Sequence, residues 1–238
     1  MGVGVTWVVV TSLTTRVLVF VASILVTRII PATEFGIVAA AMAVVALSQG
    51  LTTTGMDSAL IQKKDNIEQF LDVAWTMEII RSLLLFAASI LLAPVVSTAL
   101  DEPRLTLILT VVSMSIVLQG TRNIGIVHFR KNLDFPRQFI LDVLPAIANI
   151  LVLVPLAFAL RNAWALVAAT LAGSATGLIT SYVIHPYRPR LRYDRHLFGE
   201  LLGFSKWIVG SSILVVLRDQ GSALFTGKYF GVGLLGIY

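Results

Sequence analysis

Long apolar stretches alternate with short polar interruptions along the chain. In order they give six candidate spans at about 5–30, 36–60, 73–99, 105–127, 138–160 and 163–185, and a seventh at 205–226. Each holds 20 or more residues, and at about 1.5 Å of rise per residue some 20 residues cross a hydrocarbon core about 30 Å thick. Helices are the expected element, because irregular backbone cannot face lipid with its polar groups unpaired. A β-barrel fits poorly: stretches such as Ile24 to Ile30 and Leu151 to Leu156 lack the strict alternation of barrel strands. The pattern therefore predicts an all-α, polytopic transmembrane helical bundle.

The interruptions divide the chain. Pro31 closes the first span, Asp101-Glu102-Pro103 separates the third from the fourth, and Arg161-Asn162 predicts a very tight hairpin between the fifth and sixth. His185 to Arg195, with Pro186 and Pro189, is the longest polar interruption. We expect a six-helix lobe at 1–185, a basic linker at 186–204, and at 205–238 a seventh helix with the start of an eighth. Gly231 to Tyr238 reads as the opening of a further helix, so the chain is expected to be the amino-terminal part of a longer protein.

Composition strengthens the membrane reading. Of 238 residues, 57% are apolar and 13% charged, against roughly 45–50% and about 25% in soluble domains. The absence of cysteine excludes disulfides, thiolate metal sites and cysteine nucleophiles. A signal peptide is disfavoured because the first charge, Arg16, lies inside the first apolar stretch. The net charge is +5, and its placement is informative. Lys63, Lys64, Arg130, Lys131, Arg137, Arg188, Arg190, Arg192, Arg195 and Lys206 fall on one side of the alternating spans, against Arg28, Arg104, Arg161 and Lys228 on the other. Short basic loops stay in the cytoplasm, so the amino terminus and the 186–204 segment are expected inside. The basic clusters mix with prolines instead of forming a helical recognition face, which points to anionic membrane lipids and not to nucleic acid.

Polar residues within the spans are the candidate chemistry, since ionisable groups in hydrocarbon are costly unless they face protein or water. Gln49, Thr53 and Asp57 recur every four residues; Glu78 and Arg81 are spaced to pair along one helix; Ser115, Gln119, Arg122 and Asn123 mark the fourth span; Asp142, Pro145 and Asn149 mark the fifth. Arg16 lies in the first span and Arg218-Asp219 deep in the seventh. Plainer readings stand beside these: Arg16 and Arg81 snorkelling to headgroups, Asp57 solvated at an interface, Asp142 at a helix start, Glu78 and Arg81 as a structural pair. Ala169, Gly173, Gly177 and Ser181 form a small-residue stripe expected to let helices pack closely. His128, His185 and His196 lack metal-ligand spacing, and no phosphate-loop, nucleophile-elbow or zinc-protease motif occurs.

Several segments together carry a resemblance. They are Thr27 to Gly36 (TRIIPATEFG), Gly55 to Asp65 (GMDSALIQKKD), Arg130 to Phe135 (RKNLDF), Trp164 to Val167, Arg188 to Leu191 with Leu202 to Ser205, and Gly227 to Phe230 with Leu234 to Tyr238. In this order the chain resembles the amino-terminal half of a polysaccharide-export flippase of the multidrug, oligosaccharidyl-lipid and polysaccharide exporter superfamily. The resemblance implies a bacterial cytoplasmic-membrane protein of two six-helix lobes around a central cavity, working by alternating access. It implies an isoprenoid-diphosphate-linked oligosaccharide as substrate, no cofactor, no enzymatic step, and coupling to a proton or sodium gradient as in many of the superfamily. A multidrug or lipid exporter is the alternative. The family's usual Asn-Asp pair in the seventh span is Arg218-Asp219 here, which keeps the acid and changes its neighbour.

Overall fold

A computed structural model describes residues 2–52, 60–61 and 67–200. The seventh span, Asp57, Arg218 and Asp219 lie outside the described residues, as do the divisions drawn within 201–238. The described chain is helical, and five of its helices are long and apolar enough to cross a membrane, or six if one bent pair counts as a single span. The helices are α1 (Gly2–Thr27), α2 (Ala32–Leu51), α3 (Glu68–Ala99), α4 (Arg104–Gly120), α5 (Val127–Lys131), α6 (Phe135–Leu160) and α7 (Ala163–Ile184), with a 3-10 turn at Ile124–Ile126.

Local chemistry explains the boundaries. In α1 four hydroxyls, those of Thr11, Thr15, Ser23 and Thr27, bond to carbonyls of their own helix, Thr11 donating to the Trp7 carbonyl at 2.8 Å and Thr27 to that of Ser23 at 2.8 Å. Pro31, extended at φ −59° and ψ 147°, precedes α2. Asp134 caps α6 by accepting from the Arg137 N–H at 3.3 Å, and Asn162 caps α7 by accepting from Trp164 N–H at 3.1 Å. The predicted hairpin is present, and Arg161 closes it in the left-handed region at φ 52°. Two boundaries differ from expectation. Helix α2 ends at Leu51, short of the predicted 60, where a run of three threonines begins. The fourth span is not one helix to 127: it stops at Gly120 and bends by 64° into the segment Ile124–Lys131.

Helices α4 and α7 occupy the centre. One core cluster joins α2, α4 and α7 through Ile37, Val44, Leu109, Val112 and Val167, and a second seats Ala22 and Val26 of α1 against Leu153, Ala157 and Ala169. The rest of α1 leaves large apolar side chains outermost, Leu13 and Phe20 among them. Such a surface is stable only against hydrocarbon or further protein.

The two ends of the bundle differ. At one, Glu34 after the first connection takes both Arg104 guanidinium nitrogens, at 2.7 and 2.9 Å, and the Ala163 N–H at 2.7 Å. One carboxylate thus ties the starts of α2, α4 and α7. This end carries connections that mix acidic and basic residues, and the basic connections among the described residues, at 121–137 and 185–200, gather at the other. At that other end the segment after α7 runs back along α3.

Candidate functional site

A helix break inside an apolar span frees backbone groups that must find partners. The break at 121–123 is met by side chains from other helices. Trp75 of α3 donates its indole N–H to the Arg122 carbonyl at 3.0 Å, and the Tyr182 hydroxyl of α7 donates to the Thr121 carbonyl at 3.1 Å. The Asn123 N–H donates to Ser181 Oγ at 3.0 Å. The fully buried Asn123 side chain accepts from Gly125 N–H at 2.9 Å and donates to the Tyr187 carbonyl at 2.7 Å. Gly120 lets α4 approach α3 here, since a Cβ on it would lie 2.4 Å from the Ser82 side chain. The break is therefore a built feature, with a partner for each of these groups.

Beside it lies a cavity of about 230 Å³ whose wall includes Gln49, Trp75, Glu78, Arg81, Gln119 and Arg122. The predicted pair along α3 is present. Arg81 Nε donates to Glu78 Oε2 at 3.0 Å, Arg81 Nη2 contacts Glu78 Oε1, and Nη1 donates to Thr52 Oγ1 at 3.2 Å. The Glu78 carboxylate is thus engaged by Arg81. Arg122 has no such acceptor: its Nε is buried without a hydrogen-bond partner among the described residues. The guanidinium lies against Gly177, where a Cβ would come within 2.1 Å of Nη2. Arg130 is also on the wall, and among the described residues an unused donor of Arg122 remains beside the Arg81–Glu78 pair. An anion with several oxygens would complement that arrangement, because a guanidinium donates through a fixed fork.

Comparison with known proteins decides the family. The family model described as "Polysaccharide biosynthesis protein" matches residues 25–238, nearly the whole chain. The chain belongs to that family. Two curated relatives are the succinoglycan biosynthesis transport protein ExoT of Rhizobium meliloti (strain 1021), 26% identical over 233 residues, and the lipopolysaccharide biosynthesis protein WzxC of Escherichia coli (strain K12), 23% identical over 213 residues. These alignments cover 98% and 89% of this chain but 47% and 43% of the relatives, so the chain spans about half the length of the curated relatives it matches. No solved structure matches it. Family membership and five helices long and apolar enough to span a membrane make this a multi-pass membrane protein of a polysaccharide biosynthesis family.

In this member of the polysaccharide biosynthesis family, six of the polar residues singled out in the sequence, Gln49, Glu78, Arg81, Gln119, Arg122 and Asn123, line the cavity. Asp142 stands apart on α6, exposed and accepting from Gln138 Nε2 at 3.0 and 2.9 Å, though its field reaches Arg122. Asn149 packs against α7, its Cβ 3.3 Å from the position of a Cβ on Gly173. Arg16 is exposed on α1 and is not brought to the cavity. The small-residue stripe of α7 does more than pack helices. Gly173 meets α6, whereas Gly177 and Ser181 receive the broken segment through Arg122 and Asn123. Trp75 and Tyr182 are site residues that the polar stripes did not reveal. The available signal was that an indole or phenol donor within a span needs an acceptor.

A larger cavity of about 520 Å³ opens at the basic end, with His128, Phe129, Arg137, His185 and Tyr187 on its wall and none of the predicted candidates. The His128 and His185 rings stack at 5.6 Å with 2° between planes. Burial, the neighbouring His128, and then Arg137 and Arg188 hold the His185 imidazole below its usual pKa. Burial and the Asp72 carboxylate, which accepts from the phenol at 2.7 Å, push Tyr187 upward. Among the described residues, no cluster of three or more His, Cys, Asp or Glu side chains could hold a metal ion.

Proposed function

We propose that this protein is a lobe of a transporter that carries lipid-linked oligosaccharide repeat units across the bacterial cytoplasmic membrane for surface polysaccharide assembly. The observation that carries the reading is the cavity at the α4 break, where Arg122 is buried with an unused donor beside the Arg81–Glu78 pair. The relatives, named for succinoglycan transport and lipopolysaccharide biosynthesis, suggest the class of cargo. A hydrated glycan head loses its hydrogen bonds if it crosses bare hydrocarbon, at a cost of several kcal/mol for each polar group left unpaired. A polar cavity replaces those partners while the isoprenoid tail stays in lipid. Arg122 and Arg81 supply donors for the substrate's diphosphate or for acidic sugars, and Gln49 and Gln119 supply donors and acceptors for hydroxyls.

In this reading residues 1–185 form one lobe, 186–204 link it to the next, and the amino terminus is cytoplasmic. Arg218 and Asp219 are proposed to serve substrate binding or ion coupling from the seventh span, with a second lobe completing the cavity. The test is cell-surface glycan per inserted protein in the complete transporter. Arg122→Gln should lower export at least about tenfold, the loss of one charged hydrogen bond, with Arg122→Lys recovering part of it. Normal export from Arg122→Gln would remove the cavity from the transport path. Normal export from an Arg218→Ala, Asp219→Ala double variant would remove that pair.

A further inference from the structure

The segment after α7 has no regular structure from 185 to 194, yet it is fastened at several points. Asn123 Nδ2 holds the Tyr187 carbonyl at 2.7 Å, and Asp72 Oδ1 accepts from both the Tyr187 hydroxyl, at 2.7 Å, and the Arg190 N–H, at 2.9 Å. Thr76 Oγ1 accepts from the Arg192 N–H at 2.9 Å. Arg188 is consumed internally, donating to the His185 and Tyr187 carbonyls at 2.8 and 2.9 Å. The segment is thus a strap bolted along the first turns of α3.

Its free groups are of two kinds. The side chains of Arg190, Arg192 and Arg195 are exposed and make no hydrogen bond or ion pair to any described residue. Asp194 turns its carboxylate onto the His196 and Leu197 N–H groups, at 3.0 and 3.2 Å, where it caps the helical turn at 195–200. Between the arginines, Leu191 and Tyr193 are each 71% exposed. Bare leucine and tyrosine flanked by unpaired guanidinium groups suit a boundary that is apolar on one side and anionic on the other.

The length of α3 sets the depth. Its 32 residues span about 48 Å, more than the roughly 30 Å hydrocarbon core and slightly more than the 40–45 Å that includes both headgroup layers. Measured from Ala99 at the opposite end, Thr76 lies about 35 Å and Asp72 about 40 Å along the axis. With Ala99 at the opposite edge of the hydrocarbon core, Thr76 falls within the headgroup layer of the basic end and Asp72 at its outer edge.

We propose that the strap, through Arg190, Arg192 and Arg195 with Leu191 and Tyr193, is a binding surface for anionic phospholipid headgroups. The phosphates pair with the guanidinium groups, and the two apolar side chains reach the acyl boundary. This holds the strap, and with it the buried Asn123 at the helix break, at a fixed depth in the membrane.

The experiment uses the full chain in nanodiscs of equal phosphatidylglycerol and phosphatidylcholine, with lipids retained on release counted by native mass spectrometry. Wild type should retain phosphatidylglycerol preferentially. A triple Arg190→Gln, Arg192→Gln, Arg195→Gln variant should lose at least about fivefold of that preference, since each basic side chain near an anionic surface is worth about that factor. The corresponding triple lysine variant should keep the preference, and Arg28→Gln with Arg161→Gln, at the opposite end, should leave it unchanged. Unaltered thermal midpoints show that the variants fold. An unchanged lipid preference in the triple glutamine variant overturns the proposal. If that variant also loses export, the arginines serve a protein partner instead.

Discussion

Gly177→Ala separates the position of Arg122 from the stability of the bundle. An ideal Cβ at residue 177 lies 2.1 Å from Arg122 Nη2 and 2.7 Å from its Cζ, whereas carbon and nitrogen atoms rest near 3.5 Å. The guanidinium must therefore move by more than about 1 Å. The obstructing atoms are the far end of a flexible side chain, so it swings aside and the helices need not part. Two terms then oppose each other in folding. Alanine in place of glycine within a helix gains about 1 kcal/mol, and crowding a packed interface costs about 1–3 kcal/mol. The low end applies here, because an arginine with an unpartnered Nε loses no hydrogen bond there. We expect a net change within about 1 kcal/mol.

Transport should respond differently. If the guanidinium binds an anionic cargo, displacing it forfeits a charged hydrogen bond worth about 1.5–3 kcal/mol, so export should fall roughly tenfold to a hundredfold. The assay pairs surface glycan per inserted protein with unfolding of the purified chain in micelles. Normal export together with normal stability would refute the reasoning, because the guanidinium would then be dispensable at that position. An export loss matched by destabilisation of 3 kcal/mol or more would equally refute it, because Gly177 would be acting through packing alone.

The remaining expectations concern the two ends of the bundle. Glu34→Ala should destabilise by about 2 kcal/mol, because it breaks a half-exposed ion pair worth up to about 1 kcal/mol and uncaps α7 at Ala163 for about another; Arg104→Ala should cost only the first part, and equal losses in micelle unfolding would contradict this division. At the basic end His185 is held neutral by burial, with His128, Arg137 and Arg188 around it. The unfolded chain takes up its proton near the usual 6.5, so this contribution to stability is full above that pH and is lost as pH falls toward the lower folded value; His185→Asn should flatten that part of the stability profile between pH 7 and 5. For sidedness, Arg192→Cys should resist an impermeant thiol reagent in intact cells and Asn162→Cys should react, and the reverse labelling would invert the orientation.

What the sequence discloses about this bundle is what hydropathy and short-range spacing encode. Length and apolarity locate the spans, the Arg161-Asn162 pair locates the hairpin, and three-residue spacing pairs Glu78 with Arg81. Each depends on residues a few positions apart. The break at 121–123 does not. Ser115, Gln119, Arg122 and Asn123 read in sequence as a polar stripe on a continuing helix, because a few polar residues change the mean hydropathy of a long apolar window very little. The groups that make the break affordable come from Trp75, 47 residues away, and from Ser181 and Tyr182, about 60 residues away. No local periodicity announces such pairs.

The same distance effect separates the two meanings of the α7 stripe. Small residues every four positions say only that something comes close. At Gly173 that is the backbone of another helix, the Pro145 carbonyl, and at Gly177 it is a guanidinium. A stripe that packs helix against helix should tolerate shape-conserving exchange on both sides, whereas a stripe that seats an arginine couples the size of residue 177 to the charge at residue 122. That coupling is a double-variant property. Once Arg122 is Gln or Ala, adding Ala at 177 should cost no further export, because the group it displaces is already gone. Additive losses from the two changes would place Gly177 and Arg122 on separate paths and return the glycine to simple packing.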